Sequence, residues 1–317
     1  YKGNIIVYYL NDKKINKKFN FYKKKFKDLD KKLNLIVEND IIFVSDNLGY
    51  LYAFDHQKND ILWAKNYKIP FRSNLKIYKN KLIAANQNND IYFFNKSNGD
   101  LIKKLPTEET LLKNQFVNNL SLNDNNLLFL NTSGSLYSLN CDNMLMMWFI
   151  NLNEILDLNL DNLFYSNQII TDNNKLVVSS NDHIYIVDIE TGIVLFKYNF
   201  ISIVKPLILN NYLFLISNNN LLISLDLSKN KIIYSYDIKE KIFDFYDKNK
   251  KKIIFSNILA ANNQLLIFLK SSQILKFNID GNLNDIVELP TNINSNPMIV
   301  NNLLYYLDNK NKLSIVN

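Results

Sequence analysis

Short apolar runs broken by turn residues recur along the whole chain, and each has the length of a strand rather than a helix. In the first clear group the runs are Leu33 to Val37, Ile41 to Ser45, Tyr50 to Phe54 and Ile61 to Lys65. Between the third and fourth lies a turn of recognisable pattern: a small residue, any residue, Asp or Asn, then Gly or Asn, then Trp or a substitute. The clearest copy runs from Ala53-Phe54-Asp55 to Trp63. Weaker copies return about every 40 residues, the period of an array of similar supersecondary units. Four short strands per unit predict an all-β chain folded as a β-propeller.

The second unit begins near Asn74 and turns at Asn95 to Gly99. The third begins near Asn119, with Gly134 to Asn140 as its third strand and Trp148 in its fourth. The fourth begins near Gln168 and carries Val187-Asp188-Ile189-Glu190-Thr191-Gly192. The fifth begins near Pro206 and turns at Asp226, and the sixth begins near Asn257 and turns at Asn278 to Gly281. The last starts near Pro297 and ends after Leu313 to Val316, a third strand with no fourth.

Asn4 to Leu10 and Ile15 to Tyr22 are strand material ahead of the first full unit. Pairing N-terminal with C-terminal strands would remove two exposed edges, so residues 1–22 are expected to close the ring. The expected architecture is a seven-bladed propeller of four-stranded blades, with residues 1–317 as a single domain. Eight blades are the alternative, because the N-terminal segment is long enough for two strands. Asp55, Asp188 and Asp226 are expected to cap the turns before the fourth strands, Gly192 belongs to the same pattern, and Trp63 and Trp148 are expected to lie over neighbouring blades.

Composition changes this picture in two ways. Only 6 of 317 residues are Gly, few for a chain of tight turns. Asn tolerates positive φ at modest cost, and Asn210-Asn211, Asn218-Asn219-Asn220 and Asn262-Asn263 sit where such turns belong. The net charge of +7, with the runs Lys23-Lys24-Lys25 and Lys250-Lys251-Lys252, suggests a nucleic-acid partner at first sight. However, Lys, Asn, Ile and Tyr are inflated together, as in a genome biased to A and T, while Arg has almost vanished. Nucleic-acid sites favour Arg forks, so no nucleic-acid partner is expected.

Chemistry is sparse. Cys141 is alone and cannot form an intramolecular disulfide. The apolar stretch Met144 to Ile150 is far too short to span a bilayer. The only histidines, His56 and His183, fall in turns expected on opposite faces of a propeller, which leaves no His pair for catalysis or for a metal. No glycine-rich phosphate loop and no Ser-His-Asp arrangement is present. The sequence therefore predicts no cofactor, no metal and no enzyme.

Binding is the remaining class. Three connections between units are long, Leu105 to Val117, Asn151 to Tyr165 and Ile238 to Lys251, and strand alternation would put them on one face. Arg72, the one arginine in the chain, precedes an inner strand on that side. It is read either as a fork for a partner's carboxylate or as half of an intramolecular ion pair with Glu108 or Glu109.

Leu51-Tyr52-Ala53-Phe54-Asp55 with Trp63 beyond it resembles the pyrroloquinoline-quinone-like propeller repeat. Pro70-Phe71-Arg72-Ser73, Thr132 to Leu139 and Asp188 to Gly192 also fall where that pattern would put them. Among proteins with this repeat, the chain resembles the BamB-type outer-membrane-assembly factors, particularly alphaproteobacterial forms, over nearly its whole length. The resemblance implies a periplasmic, outer-membrane-associated scaffold that helps insert β-barrels. It also implies a monomer within a complex, bound to the central barrel subunit of the assembly machinery. The alternatives are a propeller enzyme or cofactor binder of quinoprotein type, and a generic propeller adaptor. Departures from the family pattern are Asn59 and Asn230 in place of Gly, and Phe196 and Tyr234 in place of Trp. The chain begins at Tyr1 with no Met, signal peptide or lipid-bearing Cys, so it reads as a fragment or processed form.

Overall fold

The computed structural model describes all residues except 1–2, 11–13, 23–25, 27, 110–117, 154–163, 165, 181, 247–252 and 317. A hairpin opens the chain, β1 (Asn4–Tyr9) and β2 (Lys14–Asn20). The first blade is β3 (Leu33–Glu38), β4 (Ile41–Asp46), β5 (Tyr50–Asp55) and β6 (Asp60–Asn66). The second is β7 (Lys76–Tyr78), β8 (Lys81–Ala85), β9 (Ile91–Asn95) and β10 (Leu101–Leu105). The third is β11 (Asn119–Asn123), β12 (Asn126–Leu130), β13 (Ser135–Asn140) and β14 (Leu145–Asn151). The fourth is β15 (Ile170–Asp172), β16 (Lys175–Ser179), β17 (Ile184–Asp188) and β18 (Val194–Tyr198). The fifth is β19 (Leu207–Leu209), β20 (Tyr212–Ile216), β21 (Leu221–Asp226) and β22 (Lys231–Asp237), followed by a helix, α1 (Ile238–Tyr246). The sixth is β23 (Phe255–Ala261), β24 (Gln264–Leu269), β25 (Gln273–Asn278) and β26 (Leu283–Glu288). The last is β27 (Met298–Val300), β28 (Leu303–Leu307) and β29 (Leu313–Val316).

Every pairing is antiparallel between consecutive strands, giving six four-stranded sheets, a three-stranded one and the two-stranded hairpin. The fold is an all-β, seven-bladed β-propeller. Its residues cluster into two compact units, Tyr1–Tyr165 with the hairpin and three blades, and Ser166–Asn317 with four.

The core explains the sequence pattern. In the first six blades the second and third strands are largely buried on both sides, as β4, β5, β8, β9 and β12 show, so they read as continuous apolar runs, whereas β29 of the last blade is not. Fourth strands such as β6 stand at the outer edge and alternate. Blades then pack face to face: Phe43, Leu51 and Ala53 of the first meet Leu82, Ala84 and Phe94 of the second. In the other unit, Phe214, Ile216 and Leu222 of the fifth blade meet Ile258, Leu265 and Phe277 of the sixth.

All 6 glycines have positive φ, so Gly is kept only where that conformation is used. Asparagine fills many of the remaining left-handed positions, including Asn210, Asn211, Asn220, Asn262 and Asn263.

One expectation is corrected. Among the described residues the N-terminal strands make no pairing with the last blade: β1 takes β2 as its partner, with Asn4 opposite Asn20, and β29 pairs with β28. The reason is packing. Ile5, Phe19 and Phe21 cover Ile42, Val44, Tyr52 and Phe54 of the first blade and are removed from water with them. In the third long connection the first nine residues form α1. Ile238 and Ile242, one helical turn apart, are buried in the core of the fifth and sixth blades.

Candidate functional site

The repeated turn before each fourth strand is built from one side-chain oxygen. Asp55 Oδ1 accepts from the backbone N–H groups of Gln57 and Lys58, both at 2.9 Å. Asp226 Oδ1 accepts from Ser228 N at 2.8 Å and Lys229 N at 3.1 Å, and Asp188 Oδ1 from Glu190 N at 3.1 Å and Thr191 N at 2.8 Å. At two of these turns hydrogen bonding favours the ionised form: Lys58 N lowers the Asp55 pKa, and the Ser228 hydroxyl lowers that of Asp226.

Four residues after the Asx comes a left-handed residue: Asn59, Gly99, Met144, Gly192 and Asn230. In the second blade it receives the preceding blade's aromatic ring. Trp63 lies on Gly99, where an added Cβ would sit 2.4 Å from the ring, and its Nε1 donates to Lys96 O at 3.0 Å. Tyr234 and Tyr236 cover Gly281 in the same way. At Met144 and Asn230, where a side chain replaces the glycine, a polar contact is made. Lys103 donates to Met144 O at 2.7 Å, and at Asn230 the Tyr198 hydroxyl donates to the amide oxygen. Phe196 is left exposed. Trp148 is half-buried in β14, opposite Ser138.

A second turn family, between second and third strands, was missed by sequence reasoning. Asp46, Asn86, Asn131 and Asp308 each accept two backbone N–H bonds through Oδ1 at 2.8–3.0 Å. Ser180 and Ser217 stand in the same place with weaker bonds. The available signal was an Asx or Ser closing an apolar run. In the first blade this turn is linked to the hairpin, because the Tyr22 hydroxyl donates to Asp46 Oδ2 at 2.5 Å. Burial raises the Asp46 and Tyr22 pKa values.

Arg72 sits beside this turn family in the second and third blades. Its backbone is clamped: its N–H donates to Ala85 O at 3.0 Å, and its carbonyl accepts from Asn118 N at 2.7 Å. Asn118 Nδ2 donates to Asn86 O at 2.9 Å, joining the starts of the two blades. The guanidinium has no hydrogen-bond or ion-pair partner among the described residues, and partial burial lowers its pKa. Of the two readings of Arg72, the ion pair with Glu108 or Glu109 is not among the ion pairs of the described residues. Glu108 has other partners: Ser135 Oγ donates to its Oε2 at 2.5 Å and Asn89 Nδ2 to its carbonyl at 3.0 Å. Glu109 is exposed. Asn118 Oδ1 and Asn131 Nδ2 are buried without a partner among the described residues. The result is a cation on an ordered backbone near buried amide groups, beside a hydrogen-bonded Ser135–Glu108 pair.

The remaining candidates lie apart from this site. His56 Nε2 is 3.6 Å from Asp40 in the turn after β5, and His183 stands by Tyr185 in the turn before β17. Burial pushes the Cys141 thiol up to about 11, which makes it a poor nucleophile at neutral pH. Among the described residues no group of His, Cys, Asp and Glu could hold a metal, and no helix is long and apolar enough to cross a membrane. Residues 110–117, 154–163, 165 and 247–252, which hold much of the three long connections and the second Lys run, lie outside the described residues.

Such a frame, a propeller whose recurring positions are turns and whose Arg72 guanidinium has no partner among the described residues, is built on quinoprotein-like repeats. The family model described as outer membrane protein assembly factor BamB matches residues 23–236, and the chain belongs to that family. Its fold is also that of solved structures. The crystal structure of BamB from Moraxella catarrhalis aligns at TM-score 0.74 and 13% identity, over 96% of this chain and 88% of that one. The computationally designed Ika8 protein aligns at TM-score 0.72 and 11% identity, over 99% and 90%. No curated protein matches the sequence.

Proposed function

We propose that this protein is a non-enzymatic periplasmic scaffold, associated with the outer membrane, that assists assembly of β-barrel proteins by holding the central barrel subunit of the assembly machinery. Membership of the BamB family carries the reading. The partly desolvated, unpartnered Arg72 supports it as one contact, since a guanidinium held on a clamped backbone recognises carboxylates with little loss of entropy. Glu108 and Glu109 would border the same contact, Glu109 from the solvent side.

Capture of the purified soluble domains of the barrel subunit by immobilised protein tests the proposal. Arg72→Glu should weaken capture and leave thermal stability nearly unchanged. Undiminished capture would remove Arg72 from the interface, and absence of capture by the parent protein would remove the partner. Stoichiometric binding of pyrroloquinoline quinone would promote the quinoprotein alternative.

A further inference from the structure

Outer strands are exposed sheet edges, and proteins usually protect them with charge. Here β6 carries Asp60 and Lys65, β10 Lys103 and Lys104, β18 Lys197, β22 Lys231 and Asp237, and β26 Asp285 and Glu288. β14, Leu-Met-Met-Trp-Phe-Ile-Asn, carries none over seven residues. Among the described residues it is the end strand of its sheet, paired along one side with β13. Leu145 and Met146 are 55% exposed, Phe149 56% and Met147 58%. Three of the chain's 4 methionines, Met144, Met146 and Met147, fall on or just before this edge. Thioether side chains adapt to varied apolar surfaces, and an apolar run of this kind is otherwise an aggregation hazard.

We infer that β14 is a docking edge, which takes an extended, uncharged strand from a partner protein by continuing the sheet of the third blade. Backbone hydrogen bonds would supply the affinity, and Met146 and Phe149 would flank alternate apolar side chains of the incoming strand. The ring of Phe149 is fixed by stacking on Tyr137, with centroids 5.7 Å apart, so one anchor is already ordered. A second copy of the chain is a poorer occupant. The β13–β14 register shifts between Ser138 and Leu139, leaving Met147 without a partner residue, so two copies of β14 would have to match two irregular edges. Each copy also brings a net charge of +7. This surface is separate in sequence from Arg72 and does not depend on the identity of the barrel-assembly partner.

The test is hydrogen exchange of the full chain with a synthetic uncharged peptide of alternating valine and threonine. Exchange of the amides of residues 145–151 should slow in the presence of peptide. Met146→Lys and Phe149→Lys should each weaken peptide binding about tenfold, the effect of roughly 1.4 kcal/mol. Leu195→Lys on β18, the outer strand of the fourth blade, and Arg72→Glu, should leave it unchanged. Unchanged exchange at β14, or equal weakening by Leu195→Lys, would overturn the inference. So would a concentration-dependent dimer abolished by Phe149→Lys, which would assign the edge to self-association. Thermal melts of both lysine variants confirm that they fold, as expected for exposed positions.

Discussion

At the scale of single residues, the fold depends on what stands four places after each turn-forming Asx. Gly99 is needed for two separate reasons, φ of +74° and a Trp63 ring that would lie 2.4 Å from any Cβ. Gly99→Ala should therefore cost about 2–4 kcal/mol, strain and overpacking together. In a Trp63→Ala background the same change should cost only the strain, about 1 kcal/mol. Urea titrations of the four proteins give the cycle, and equal costs in both backgrounds would mean that the ring does not hold the turn. Trp63 is half-buried rather than buried, so Trp63→Ala alone should cost about 2–3 kcal/mol, below the range for a fully buried Trp.

Asp46 has the opposite character to Asp55 and Asp226. Burial raises its pKa, so the folded chain holds that proton more tightly than the unfolded chain. Its contribution to stability is complete below the ordinary carboxylate pKa and is lost as pH rises through the higher folded value. Asn occupies the same turn position at Asn86 and Asn131 with the same two N–H bonds. Asp46→Asn should thus keep the turn and flatten the fall in stability with rising pH across that window. Melting temperatures at several pH values decide it; a slope equal to the parent's would place the titration elsewhere.

At the scale of elements, strand positions were legible because central strands are buried on both faces and bounded by Asn, Asp or Gly. Leu33 to Val37 became β3, and Leu313 to Val316 became β29 without a fourth strand. The role of residues 1–22 was not legible. Apolar alternation shows that Ile5 and Phe19 need a surface, but it does not say whether a sheet edge or a blade face supplies it. The face won: Phe19 stacks on Phe54 at 4.1 Å and Phe21 on Tyr52 at 4.3 Å, while Lys17 donates to the carbonyls of His56 and Gln57, both at 2.5 Å. Phe19→Ala should cost about 2 kcal/mol by urea titration, the loss of a partly buried ring. Deleting residues 1–22 should expose Ile42, Val44, Tyr52 and Phe54 together and produce aggregation, visible by light scattering. A soluble, cooperatively melting truncation would show that the hairpin is dispensable.

At the scale of the whole molecule, the repeat pattern carried the fold and left the function to few residues. Turn residues dominate the repeat because a propeller spends its recurring sequence on geometry, and geometry is shared by proteins with different work. Arg72 was legible as an anomaly, an arginine among lysines, but its environment was not, since only the structure shows Glu108 engaged by Ser135 and Asn89. This separates two outcomes. A structural cation would be missed by the fold, whereas a cation kept for a partner is carried at a small cost in desolvation. Arg72→Met keeps the stem and removes the charge, so its stability should stay within about 0.5 kcal/mol of the parent, as for a surface change, or rise slightly. Capture of the barrel-subunit domains should fall in the same variant, and its residual binding should depend less on salt than the parent's. A loss of stability of several kcal/mol with unchanged capture would return Arg72 to the fold and move the search for the interface to the long connections between blades.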